Sequence, residues 1–127
     1  MPAPQQLPIY IKLYQFIKFF YERQRNFPKQ YKYTLGEDIV SLAWECLDLF
    51  LEANSLPNAE KNSKIVQLSN VFDKLKTRLN MSYELKLITE KQYAHMQTYF
   101  MREIGTMIGG WLNWSNANCV KNNQLNQ

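Results

Sequence analysis

The fold class that this sequence predicts is all-α: an antiparallel, up-down-up-down four-helix bundle. Three observations carry the prediction. The 127 residues include only four glycines and five prolines, too few for the turns of an all-β domain. Apolar residues recur at helical spacing in four separate stretches, each with a polar side. Short connections join those stretches, and short connections make antiparallel neighbours. With 46% hydrophobic residues, a chain of this length can bury one core without disulfide or metal staples.

Residues 1–7 carry two prolines and two glutamines and are expected to be a flexible N-terminus. The bundle domain is expected over 8–114. Its first helix runs from Pro8, which suits a first helical turn, to about Asn26. Leu13, Phe16, Ile17 and Phe20 form the apolar stripe. Pro28 stops this helix, and Phe27–Tyr33 reads as a loop. Thr34 with Glu37 has the spacing of a capping box for the second helix, about Leu35 to Ala53. Ile39, Ala43, Cys46, Leu47 and Phe50 face inward there. Asn58 is the expected cap of a third helix that reaches about Lys86. Its seam, Ile65, Leu68, Phe72, Leu75 and Leu79, repeats at intervals of 3, 4, 3 and 4, as a bundle neighbour requires. Thr89 with Gln92 is a second capping box, opening a fourth helix from about Glu90 to Asn113. Tyr93, Met96, Phe100, Ile104, Met107/Ile108 and Trp111 line one of its sides. From Ser115 the chain turns asparagine-rich, and residues 115–127 are expected to be a polar, disordered tail.

Gly105, Gly109 and Gly110 each cost a helix interior up to about 1 kcal/mol relative to alanine. Close approach of another helix accounts for them, within the bundle or from another subunit. Trp111 and Trp114 can fill either contact. Leucine at Gly109 is expected to clash.

An enzyme is not expected. His95 is the one histidine; Gln92 stands where a di-iron bundle needs the Glu of Glu-x-x-His. No His/Cys cluster has zinc-ligand spacing, and no Gly-rich loop cradles phosphate. No metal and no cofactor are therefore expected. Cys46 and Cys119 read as reduced thiols of a cytoplasmic protein, and no apolar run approaches a membrane span. Glu37, Asp38, Glu45, Asp48 and Glu52 give the second helix an acidic side, read as a solvated face paired with neighbouring lysines.

The net charge of +4 is uneven. Residues 1–35 hold six cations against Glu22 alone, which gives +5 there and −1 over the rest. Lys12, Lys18, Arg23, Arg25, Lys29 and Lys32 are the candidate nucleic-acid-binding residues of that third. Lys64, Lys74 and Arg78 add a stripe on the third helix, within roughly 80° of arc at 100° per residue. Interleaved Tyr31 and Tyr33 can stack on bases. An ordinary solvated basic face explains the same charges.

Two segments carry a resemblance that spans about Ile9 to Ser115. FPKQYKYTLGEDI (Phe27–Ile39) has the form F-P-K-x-x-x-x-x-L-G, and EIGTMIGGWLNW (Glu103–Trp114) has the form I-G-x-M-I-G-G-W. The chain resembles the accessory variability determinant (Avd) proteins of diversity-generating retroelements. They lie within a wider set of bacterial four-helix-bundle proteins encoded in intervening sequences of ribosomal RNA genes. The resemblance implies a non-enzymatic bundle that assembles as a ring-like homopentamer. It implies binding to a reverse transcriptase and its template RNA, in support of mutagenic cDNA synthesis. Two alternatives stay open: a bundle of the intervening-sequence type, and a plain protein–protein scaffold, each without a polymerase partner.

Overall fold

The computed structural model describes the backbone of residues 7–125 and the side chains of residues 7–119. Its elements are α1 (Pro8–Gln24), a single turn α2 (Lys29–Lys32), α3 (Leu35–Ser55), a 3₁₀ turn (Asn58–Glu60), α4 (Asn62–Glu84), α5 (Glu90–His95), a π-helical segment (Met96–Met101) and α6 (Arg102–Leu125). No strand is present among the described residues. α5, the π segment and α6 follow one another without a break, so four long rods build the bundle.

Contacts fix the topology. α1 packs on α3 and on α6, and α4 packs on the same two, so α1 and α4 occupy opposite corners. Neighbouring rods are antiparallel. Tyr10 meets Phe50, whereas Gln24 reaches Glu37. Lys64 pairs with Glu52, Phe72 faces Gly105 and Tyr83 stacks on Tyr93. α1 closes on the last rod through Lys12 to Glu103 and Phe16 to Phe100.

The expected stripes form the core. Leu13, Phe16, Phe20, Ile39, Cys46, Leu68, Leu75, Leu79, Met96 and Ile104 are fully buried. The Thr89–Gln92 capping box is present, with reciprocal bonds of 3.0 and 3.1 Å. The first capping box is absent. Thr34 Oγ1 donates instead to the Gln30 carbonyl at 2.7 Å, because the Phe27–Tyr33 segment folds into the α2 turn directly behind it. That junction is held by Gln24, buried at the end of α1, whose amide donates to the Lys32 carbonyl at 2.9 Å. A Cβ on Gly36 would sit 3.1 Å from Gln24 Cγ and 3.2 Å from the Tyr31 carbonyl oxygen, so this glycine permits the close approach.

The third rod starts later than its sequence suggests. Asn58 opens a 3₁₀ turn, and α4 begins at Asn62. Between them Lys61 is buried, and its ammonium donates to the carbonyls of Ala53, Asn54 and Leu56 at 2.9, 3.0 and 2.6 Å. A cation thus satisfies the acceptors left over at the C-terminal end of α3, where the helix dipole also favours positive charge. α4 ends in a Schellman turn, with Leu87 N–H bonded to the Ser82 carbonyl and Lys86 at φ 63°.

The expected tail does not begin at Ser115. α6 continues through it, Ser115 is buried, and Asn62 donates to Ser115 Oγ at 3.0 Å and to Asn116 Oδ1 at 2.6 Å. Side-chain bonds to the start of α4 hold this polar stretch in place of apolar burial. The expectations for residues 1–6 and 126–127 fall outside the described residues.

Two predictions come from buried groups. Lys61→Met strips α3 of three charge-assisted bonds and is expected to cost about 2 kcal/mol, read as a lower urea midpoint; an unchanged midpoint contradicts this role. Burial, with Glu45 beside it, pushes the Cys46 thiol up to about 12 from 9.0. The folded state then keeps a proton that the unfolded state loses above about pH 9, so stability falls as pH rises through that window. Cys46→Ala is expected to flatten this alkaline decline in urea titrations.

Candidate nucleic-acid interface

The nine expected cations do not form one surface. Lys12, Lys18 and Arg23 lie on α1, Arg25 caps its C-terminal end, and Lys29 and Lys32 lie on the α2 turn, whereas Lys64, Lys74 and Arg78 lie on α4, at the opposite corner. Three of the nine are engaged in ion pairs: Lys12 with Glu103 at 3.0 Å, Arg23 with Glu22 at 3.7 Å and Lys64 with Glu52 at 3.1 Å. Arg78 donates to the Lys74 carbonyl at 3.3 Å. Lys18, Arg25, Lys29 and Lys74 are exposed and make no ion pair among the described residues. Lys32 is half-buried, 5.9 Å from the ring of Tyr33.

Two of the α1 cations, Lys12 and Arg23, instead share a face with the last rod. Lys12 Nζ sits 3.3 Å from the centroid of Tyr99 and donates to the Tyr99 carbonyl at 3.1 Å. Tyr99 stacks on His95, with centroids 5.3 Å apart and planes 11° apart. His95 meets Phe19 at 5.2 Å, and the Arg23 guanidinium lies 4.7 Å over Phe19. A column of three rings with a cation at each end, Lys12–Tyr99–His95–Phe19–Arg23, therefore bridges α1 and the last rod. Its foot is Phe100, edge-on to both His95 and Tyr99 and packed on Phe16 of the core.

The π segment shapes this face. It spans Met96–Met101, so both Tyr99 and Phe100 lie in it. Phe100 points inward at 3% exposure while Tyr99 stays 44% exposed. Two further cations flank the column. Lys91 lies one turn before His95 on α5, and Arg102 stands beside Lys12 and Glu103 on α6. Sequence reasoning missed Lys91, His95, Tyr99 and Arg102 as a group, although their spacing of 4, 4 and 3 residues marks one helical stripe opposite the apolar one.

The neighbouring face, between α1 and α3, is different in charge. Tyr14, Tyr21 and Trp44 are exposed there, and Trp44 Nε1 donates to Tyr21 Oη at 3.0 Å. Glu37, which accepts from Gln24 of α1 at 3.5 Å, and Asp48, one turn after Trp44, lie on this side of α3 and are exposed. Of the acidic side of α3, Glu52 pairs with a neighbouring lysine, Lys64.

The glycines divide. A Cβ at Gly105 would meet Phe72 at 3.4 Å, an ordinary contact with α4. Gly109 and Gly110 have nothing within 4 Å, which corrects the expectation of a helix packed against them within the bundle. Trp111 packs inward, 5.5 Å from Phe50. Gly110, Trp111 and Trp114 line an open groove of about 1140 Å³ with Met107, Leu56 and Pro57.

No helix among the described residues is long and apolar enough to cross a membrane, and no group of three or more His, Cys, Asp or Glu side chains there is placed to hold a metal ion. A family model described as bAvd-like matches residues 7–115. No curated protein and no solved structure matches the chain.

With open space at Gly109, alanine there gains helix propensity and meets no clash. Gly109→Ala is expected to stabilise the folded chain by up to about 1 kcal/mol, seen as a higher melting temperature. A lower one would mean that a neighbour packs on that glycine.

Proposed function

Because the chain belongs to the bAvd-like family, we propose that it is a non-enzymatic accessory subunit of a diversity-generating retroelement. In this reading it binds the reverse transcriptase and the template RNA and supports mutagenic cDNA synthesis in the cytoplasm. The observation that carries the proposal is the family match over nearly the whole bundle. The α1–α5 face supports the RNA half of the reading, since exposed cations beside aromatic rings suit a polyanion with π-faced bases. The acidic side of α3 suits a basic protein surface and is the better candidate for the polymerase.

The same reading makes the protein a homo-oligomer, a pentamer by family resemblance. The open groove lined by Gly110, Trp111 and Trp114 is where another subunit docks. Repetition of a modest basic face around a ring gives avidity that one copy lacks.

The test is recovery of the tagged protein from its native cell, with sedimentation for mass. The proposal expects a reverse transcriptase and RNA bound to an oligomer. Charge reversal at Lys18 and Arg102 is expected to weaken RNA binding and to flatten its dependence on salt, by about one counterion per lost contact. A monomer with neither polymerase nor RNA contradicts the proposal.

A further inference from the structure

Three features of the α1–α5 column go beyond positive charge. Two of its three rings are exposed, Tyr99 at 44% and His95, while Phe19 is half-buried against the core, so the column is not ordinary core packing. Its cations sit at both ends, Lys12 over Tyr99 and Arg23 over Phe19. And Arg23 keeps unused hydrogen-bonding capacity. Its contact to Glu22 is 3.7 Å, too long for a hydrogen bond, which leaves its part-exposed terminal nitrogens able to donate.

Phosphates alone need none of the rings. Duplex RNA hides its base faces in its own stack and shows a partner its backbone and a shallow groove. An unpaired strand offers a π face at every base, and proteins that take it combine a cationic track with aromatic side chains. The α1–α3 seam also exposes aromatics, with Lys18 one turn from Tyr14 and Tyr21, but exposed Glu37 and Asp48 on the α3 side repel phosphate. On the α1–α5 face Lys12, Arg23, Lys91 and Arg102 stand against only Glu22 and Glu103.

Resting on the reading of the protein as an RNA-binding accessory subunit, we infer that the Phe19–His95–Tyr99 column is a stacking platform for unpaired bases. The protein then takes single-stranded segments of RNA in preference to duplex. Tyr99 carries the stacking: a base takes the ring face that Lys12 Nζ covers, Lys12 turns to a phosphate of the strand, and His95 backs the other face. The Arg23 guanidinium donates to a further phosphate of the same strand.

The experiment is fluorescence anisotropy of the full chain with a labelled oligouridine and with a duplex RNA of equal length, each over a salt series. Tyr99→Leu with His95→Ala is expected to weaken oligouridine binding about tenfold or more, to leave its salt slope unchanged and to change duplex binding little. Tyr99→Phe keeps the ring and is expected to bind as the parent does; circular dichroism verifies that each variant folds. Binding of both RNAs that the double variant leaves unaltered overturns the platform while the RNA reading stands. So does a parent protein that prefers the duplex. Failure to bind either RNA at low salt overturns both.

Discussion

The closure of α1 against the last rod is the contact on which the rest depends. Three of the four rod pairings join sequence neighbours and need only short turns. The fourth brings together residues as far apart as Lys12 and Tyr99, 87 positions along the chain. Phe16 is its centre, fully buried and edge-on to Phe100 at 5.5 Å, with Phe20 stacked behind it at 6.0 Å. Truncating one such phenylalanine to alanine removes about 3–5 kcal/mol, a large part of the stability of a small domain. The surface ion pair between Lys12 and Glu103 adds at most about 1 kcal/mol. Aromatic burial therefore closes the bundle, and the ion pair marks the register.

Closure also creates the candidate nucleic-acid face. Phe19 and Arg23 on one rod, His95 and Tyr99 on another, acquire their neighbours only when Phe16 and Phe100 meet. The π segment adds a local condition, since it carries both the buried Phe100 and the exposed Tyr99. The acidic side of α3 and the basic side of α1 are adjacent, which gives one bundle two surfaces of opposite sign. The proposed role, holding a nucleic acid and a nucleic-acid-binding enzyme together, calls for such a division, because a face that attracts a polyanion repels a basic partner.

Much of the fold was legible because periodicity reports burial. The 3-4-3-4 seam of α4 and the stripe from Met96 to Ile108 are in the core as their spacing demands, and Thr89 caps α5 as its Gln92 partner implies. Other features depended on tertiary contacts that no local pattern carries. Thr34 looks like a cap but faces a turn that folds back on it. Lys61 looks like a surface lysine, yet it plugs the end of α3 from the next element. The asparagines after Trp114 look like a tail, but Asn62 holds two of the following residues. The candidate site was read less well than the fold. Counting charge along the sequence grouped α1 with α4, and only the order of rods around the core shows that they are diagonal. His95 looked solitary because Phe19, its ring partner on α1, lies across the closure.

The most direct test of this account is ultraviolet crosslinking of the intact protein to a uridine-containing single-stranded RNA, with the crosslinked residues mapped by mass spectrometry. The account predicts crosslinks at Tyr99, His95 and Phe19, on the face that α1 forms with the last rod. Crosslinks concentrated around Lys74 and Arg78 of α4, with none on the column, would contradict it.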